Sequence, residues 1–380
     1  LKLLHFNQKY KMPVRLPIDN LKTLWPQELK GTRLGAVLHP ASVGSDFRHS
    51  SEILKSHEGR LFRLCCLFGP QHGILGQTQD NMIEWEGFTD PNLGVPVFSL
   101  YGTHREPTAE MMSYCDTLLV DLQDIGARYY TFIWTLLLCM RSASRYGKSV
   151  VVCDRPNPIG NQVEEGSPWD LDYSSFVGLH KIPIRHGKTI GALARQFRDE
   201  LFPELHLYVL EMEDYNPTQW FDQTGLPWIL PSPNMPTLET ATVYPGMCLF
   251  EATNVSEGRG TTRPFELFGA PFIDSRAMCV YLNNQNLPGL FFREAHFQPT
   301  FHKYTGQICH GAQIHITNRY AVRSFEMAVK ILQWLFSNHP ADFQWRTDPY
   351  EYEFKKLAID ILLGNGWYRQ KFIETSYGAF

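Results

Sequence analysis

The chain has 380 residues, of which 43% are hydrophobic, 13% aromatic and 19% charged, an ordinary globular composition with material for two domains. Its formal net charge of −4 gives no electrostatic case for nucleic acid, which would call for a clustered basic surface. No apolar run reaches the roughly 18 residues of a membrane-spanning helix, so no membrane span is expected.

In chain order, residues 35–38 (GAVL) read as a short buried strand that ends at His39-Pro40. Residues 61–68, with the apolar LCCLF, read as a second strand, stopped by Gly69-Pro70 and followed by Gln71-His72-Gly73. Strands are also expected over 95–100 (VPVFSL), 117–121 (TLLVD) and 149–153 (SVVVC). Between the last two, residues 129–146 have helical length, with Gly147 placed to cap the C-terminus. Continuous apolar strands alternating with helices indicate βαβ units and a parallel sheet buried on both faces. No G-x-G-x-x-G opens a helix after a strand, which disfavours a dinucleotide.

Ligands of open α/β sheets sit outside the carboxyl ends of the strands. Here those ends carry His39, Gln71-His72, Asp121 to Asp124 with Arg128, and Asp154-Arg155. Four polar strand ends on one edge predict a cleft. The competing role for such an Asp is to cap the next helix. Asp124, shortly before the 129–146 helix, fits that role well, while Asp121 and Asp154 fit it less well.

From about Leu226 the pattern changes. Residues 226–265 are dense in Gly, Pro, Asn, Ser and Thr, yet Trp228, Tyr244, Met247 and Phe250 argue for an ordered, loop-rich segment. Loops on a rigid scaffold carry function, which makes Asn234, Glu251, Asn254, Glu257 and Arg259 site candidates. Residues 313–317 alternate like a half-exposed strand, and 324–335 have an amphipathic helical pattern. We therefore expect an α/β domain over 1–225, a second, smaller α+β domain over 226–380, and a cleft between them.

Carboxylates are the main chemical resource: Glu84, Glu86, Asp121, Asp124, Asp154, Glu164, Glu165, Glu251 and Glu257. Two carboxyl groups flanking a bond are the usual apparatus of glycoside hydrolysis. His72, His186, His302, His310 and His315 are scattered, without an HExxH spacing, so no metal site is legible. No G-x-S-x-G elbow is present for a serine nucleophile. None of the eight cysteines forms a CxxC pair, and most sit in apolar runs, which favours a reducing compartment. No signal peptide is visible, and the chain starts at Leu1 and not Met, so cytoplasm and periplasm both stay open.

Taken together, the motifs form a recognisable series. FGPQHG at 68–73, PVFSLYG at 96–102, DLQDIGARYYTF at 121–132 and DRPNPIG at 154–160 come first. SFVG at 175–178 and IRHGKTIGALA at 184–194 follow, then TGLPWILPSPNMPT at 224–237, VYPGMCLFEATNVSEGRGT at 243–261 and PFELFGAP at 264–271. This series resembles the NamZ-type exo-β-N-acetylmuramidases over roughly residues 34 to 318. The resemblance implies a Rossmann-like domain joined to a smaller C-terminal domain, with the active site in the cleft between. It also implies release of terminal non-reducing N-acetylmuramic acid from peptidoglycan fragments, with no nucleotide or metal.

On that reading the catalytic set is drawn from Glu165, His72, Asp121, Asp124 and Glu84, with Gln71 beside them. Arg128, Tyr130, Asp154, Asn234, Asn254, Glu257 and Arg259 are expected to hold the sugar. Arginine suits the lactyl carboxylate because its planar fork pairs bidentately. The chain departs from the family pattern at one place: the usual GPEHG motif has Glu where this chain has Gln71. An amide cannot act as a general acid near neutral pH. Three readings follow: an acid elsewhere, such as Glu84 or Glu86, a different sugar, or a glycan-binding protein that does not cleave.

Overall fold

The computed structural model describes residues 13–76, 78–79 and 82–371. Asp80 and Asn81, part of the loop that follows Gln71-His72, lie outside the described residues. The first part of the chain runs α1 (Leu21–Leu24), β1 (Arg33–Leu38), α2 (Ser50–His57), β2 (Arg63–Gly69), β3 (Phe88–Thr89) and β4 (Pro96–Ser99). It continues through α3 (Ala109–Ser113), β5 (Thr117–Asp121), α4 (Phe132–Arg145), β6 (Ser149–Cys153), α5 (Ile190–Leu201) and β7 (Leu207–Leu210). The seven strands make one sheet in the order β3-β4-β2-β1-β5-β6-β7. All neighbours are parallel except the short edge strand β3. Without β3 this is the doubly wound strand order of dinucleotide-binding folds, reversing direction between β1 and β5. Central strands need apolar side chains on both faces, and Leu34, Ala36, Val37, Leu38 and Leu118 to Val120 are all fully buried.

The rest of the chain runs α6 (Leu238–Met247), β8 (Leu267–Ala270), α7 (Ser275–Asn284), β9 (Leu290–Phe297), β10 (Cys309–Ile316), α8 (Ser324–Asn338) and α9 (Ala358–Leu363). Its three strands form a separate antiparallel sheet, ordered β8-β10-β9. The architecture is therefore α/β, with a large, mostly parallel sheet and a smaller α+β unit. All eight cysteines are free thiols, and only Cys65 among them is not buried.

Three local expectations are corrected. The 129–146 helix begins at Phe132, so Tyr129, Tyr130 and Thr131 form the turn that leads into α4. Asp124 does not cap it: its carboxylate accepts from the Gly126 N–H at 2.6 Å and pairs with His186 at 3.0 Å. The capping Asp is Asp154, which accepts from the Gly191 N–H at 2.7 Å and the Thr189 hydroxyl at 3.0 Å at the start of α5. Within the loop-rich 226–265 segment, residues 238–247 are helical despite Pro245. Every residue from Thr240 to Met247 is buried, and tertiary packing outweighs the poor local propensity. Gly246 is required there, because a Cβ would stand 1.8 Å from the Ser324 carbonyl oxygen of α8.

Candidate active site

The crevice at the strand-order reversal is filled by the chain's own polar groups. Arg155 grips Asp121 through two hydrogen bonds of 2.5 and 2.9 Å, and the Ser50 hydroxyl adds a third at 2.5 Å. The His39 ring accepts from the Gln123 N–H at 2.9 Å, and the Ser42 hydroxyl donates to the Asp121 carbonyl. These groups satisfy one another and lock the ends of β1, β5 and β6.

The open space lies beside this lock. It is a narrow cleft lined by residues of both the sheet unit and the second unit. The loop after β2 contributes Gln71 and His72, and the turn into α4 contributes Tyr129, Tyr130 and Thr131. Ser232 and Asn234 come from the connecting segment, and Tyr244, Glu251, Arg259 and Phe265 from α6 and the loop beyond it. Tyr350 and Glu351, far along the chain, close the remaining side.

Two carboxyl groups face this cleft, in different surroundings. Glu251 accepts from Arg259 at 2.8 Å and from the Tyr350 hydroxyl at 2.8 Å. Arg259 is backed in turn by Glu257 at 3.3 Å, and Glu257 by Lys303 at 2.8 Å and His302 at 3.3 Å. Burial opposes ionisation of Glu257, but the charges of Lys303, His302 and Arg259 outweigh it and hold its carboxyl well below the usual range. Glu351 forms no ion pair among the described residues. One of its oxygens accepts from Gln71 at 3.3 Å and the other from the Tyr101 hydroxyl at 2.9 Å. Burial pushes the Glu351 carboxyl up to about 7, and the negative charge of Glu251 adds to the rise. The hydrogen bonds from Tyr101 and Gln71 and the charge of Arg259 pull the other way.

The backbone around this carboxyl is strained. Glu351 and Tyr352 both take left-handed φ, 45° and 67°, as does His72 at 68°. Each such residue costs about 1–3 kcal/mol, and strain of this kind gathers at functional sites.

Comparison with known proteins decides the family. The model for the N-terminal part of the exo-β-N-acetylmuramidase NamZ matches residues 34–239, and the model for its C-terminal part matches residues 242–378. The chain belongs to the NamZ family. It is 43% identical over 366 residues to the peptidoglycan β-N-acetylmuramidase NamZ of Bacillus subtilis (strain 168), covering 96% of this chain and 86% of that protein. Two solved structures of DUF1343 family proteins from Bacteroides fragilis NCTC 9343 share the fold. One has a TM-score of 0.85 at 32% identity, covering 96% of this chain and 92% of its own. The other has a TM-score of 0.71 at 28% identity, covering 95% and 91%.

Of the residues singled out in this NamZ-family sequence, the cleft brings together Gln71, His72, Tyr130, Asn234, Glu251 and Arg259. The others stand elsewhere. Glu165 faces Arg185 at 3.6 Å and the Ser324 hydroxyl at 3.4 Å, outside the cleft lining. Asp121, Asp124 and Asp154 are bound into the lock, the His186 pair and the α5 cap. Arg128 is fully buried and donates to the carbonyls of Ile182 at 3.3 Å and Leu362 at 2.5 Å. Glu257 sits behind Arg259, while Asn254 ties down the 342–344 segment through Asp342 and Gln344. Glu84 is an exposed residue that accepts from Tyr352 at 3.2 Å, and Glu86 is also exposed. Glu351, Tyr350, Tyr129 and Tyr101 were not among the candidates. The only sequence signal for Glu351 is an acid between two tyrosines in PYEYEF, and nothing local links it to Gln71, 280 positions earlier.

Proposed function

We propose that this chain hydrolyses the glycosidic bond of a terminal, non-reducing N-acetylmuramic acid residue in peptidoglycan fragments. The observation that carries the reading is the pair of buried carboxyl groups, Glu251 and Glu351, facing one enclosed cleft in a NamZ-family chain. Glycoside hydrolysis requires one carboxyl group that still holds a proton and a second that is ionised. The two groups here differ in their surroundings, one paired with Arg259 and the other in no ion pair among the described residues.

The lining of the cleft offers the groups that an amino sugar needs. Tyr129, Tyr130, Tyr244 and Phe265 supply the apolar faces on which a pyranose packs, and Asn234 and Ser232 offer hydrogen bonds to hydroxyl and N-acetyl groups. Arg259 and His72 are the basic side chains of the lining, which favours a sugar bearing a lactyl carboxylate over its neutral counterpart. The split into a sheet unit over 1–225 and a smaller unit over 226–380 makes the cleft the seam between them. Glu351 then closes it from the C-terminal side.

The test is a comparison of two chromogenic substrates, a β-N-acetylmuramide and the matching β-N-acetylglucosaminide. Turnover of the first and little of the second is the expected result. Equal turnover of both would remove the role given to the lactyl group, and turnover of neither would remove the function.

A further inference from the structure

We infer that the proton donor of this site is Glu351, and that Gln71 is a positioning residue which orients it. The inference rests on the hydrolase reading above. Four observations lead to it. Position 71 holds an amide, which has no proton to give near neutral pH. Glu251 already forms an ion pair with Arg259. Glu351 is the remaining carboxyl group of the lining and forms no ion pair among the described residues. Finally, its two oxygens are fixed by separate donors, so it holds one orientation in a backbone conformation that its side chain does not favour by itself.

Gln71 is fixed as well. The Thr131 hydroxyl donates to its amide oxygen at 2.7 Å, which turns the amide nitrogen toward Tyr101 at 3.0 Å and Glu351 at 3.3 Å. A glutamate in its place would set a second carboxyl group against Glu351, and two carboxylates at that distance cannot both ionise freely. The amide removes that competition, so one proton belongs to one group. The charged and titratable neighbours of Glu351 are Tyr101, Tyr350 and Tyr352, with Glu251 and Arg259 across the cleft, and Arg105, Glu106, Arg141 and Glu353 around the adjoining cavity that it also borders.

Glu351 gives its proton to the glycosidic oxygen while the bond from that oxygen to the anomeric carbon breaks. The bonding electrons stay on the oxygen, and the leaving sugar departs as an alcohol. Water supplies the hydroxyl that ends on the anomeric carbon, and its other proton replaces, through solvent, the one that Glu351 gave up.

The test uses wild type, Glu351→Gln, Gln71→Glu and Tyr101→Phe on two substrates. One is a muramyl disaccharide, whose leaving sugar needs protonation, and the other an aryl muramide, whose leaving group does not. Loss of a general acid costs about 10²–10⁴-fold. Glu351→Gln is expected to lose that much on the disaccharide, far less on the aryl substrate, and to lose the alkaline limb of the pH profile. Gln71→Glu and Tyr101→Phe each remove a hydrogen bond that favours the ionised form, so both are expected to move that limb to higher pH. Should Glu351→Gln fail to fold, Tyr101→Phe carries the test through its limb alone. Equal loss on both substrates, an unmoved limb, or recovery of disaccharide turnover by Gln71→Glu in the Glu351→Gln background would overturn the inference. A wild type silent on both substrates would instead remove the hydrolase reading and the inference with it.

Discussion

The amide nitrogen of Gln71 lies 3.3 Å from a carboxyl oxygen of Glu351, joining a loop of the parallel sheet to the C-terminal segment across the cleft. A residue 280 positions away thus orients this carboxyl group, while burial raises its hold on a proton. The arrangement has consequences for stability as well as for chemistry.

Glu351 should act against stability at neutral pH. Its folded value is raised from the ordinary 4.5 to about 7, so between those values the folded chain keeps a proton that the unfolded chain has lost. Stability therefore falls as pH rises through that window, by an amount on the order of 3 kcal/mol. Glu351→Gln is expected to raise the Tm relative to wild type at pH 8 and to do so much less at pH 5. Thermal melts at the two pH values check it.

Glu257 should behave in the opposite way. Its folded value is depressed by Lys303, His302 and Arg259, so its contribution is present above the ordinary carboxylate value and is lost as pH falls below it. Glu257→Gln leaves those cations without their buried counter-charge, an expected loss of about 3–5 kcal/mol at pH 7. The difference in Tm from wild type should shrink as the pH is lowered toward 3.

Arg259 is shared by Glu251 and Glu257, and it lies over the Phe265 ring at 5.1 Å. Arg259→Ala removes the Glu251 ion pair and one of the cations around Glu257, and is expected to cost about 3–5 kcal/mol. Arg259→Lys keeps the charge but loses the planar fork, so it should retain the fold better while still impairing turnover. Unchanged turnover in Arg259→Lys would show that fork geometry does not matter to the cleft.

Arg128 separates structural from functional arginines. It is fully buried and holds the carbonyls of Ile182 and Leu362, and burial lowers its guanidinium to about 10. Arg128→Ala is expected to lower stability by about 3 kcal/mol, through lost charge-assisted hydrogen bonds and stranded carbonyls. At temperatures where the variant is folded, the KM for a muramyl substrate should match wild type. A large rise in KM with normal stability would return Arg128 to the sugar.

The sheet was legible because central parallel strands must be apolar along their whole length, and GAVL, TLLVD and SVVVC have no other comfortable place. The polar edge was legible too, but its use was not. Asp121, Asp124 and Asp154 end in the same region as a cleft, yet whether such an Asp faces a ligand or an Arg155, a His186 or a helix start depends on distant partners. Gln71, His72, Asn234 and Arg259 could be found because each lies in a loop with marked turn chemistry, and Glu251 because its short 3-10 helix stands within such a segment. Glu351 could not: its raised carboxyl comes from burial and its orientation from Tyr101 and Gln71, and neither leaves a trace near residue 351. The α6 helix was hidden for a related reason, since Gly246 and Pro245 read as breakers until the packing on Ser324 is known.

The most direct measurement is a product time course on two defined glycans of alternating N-acetylglucosamine and N-acetylmuramic acid. One carries N-acetylmuramic acid at the non-reducing end, and the other is capped there by N-acetylglucosamine. The expected result is free N-acetylmuramic acid from the first, and none from the second until the cap is removed. Internal cleavage of both glycans, or no product from either, would contradict an end-acting muramidase in this cleft.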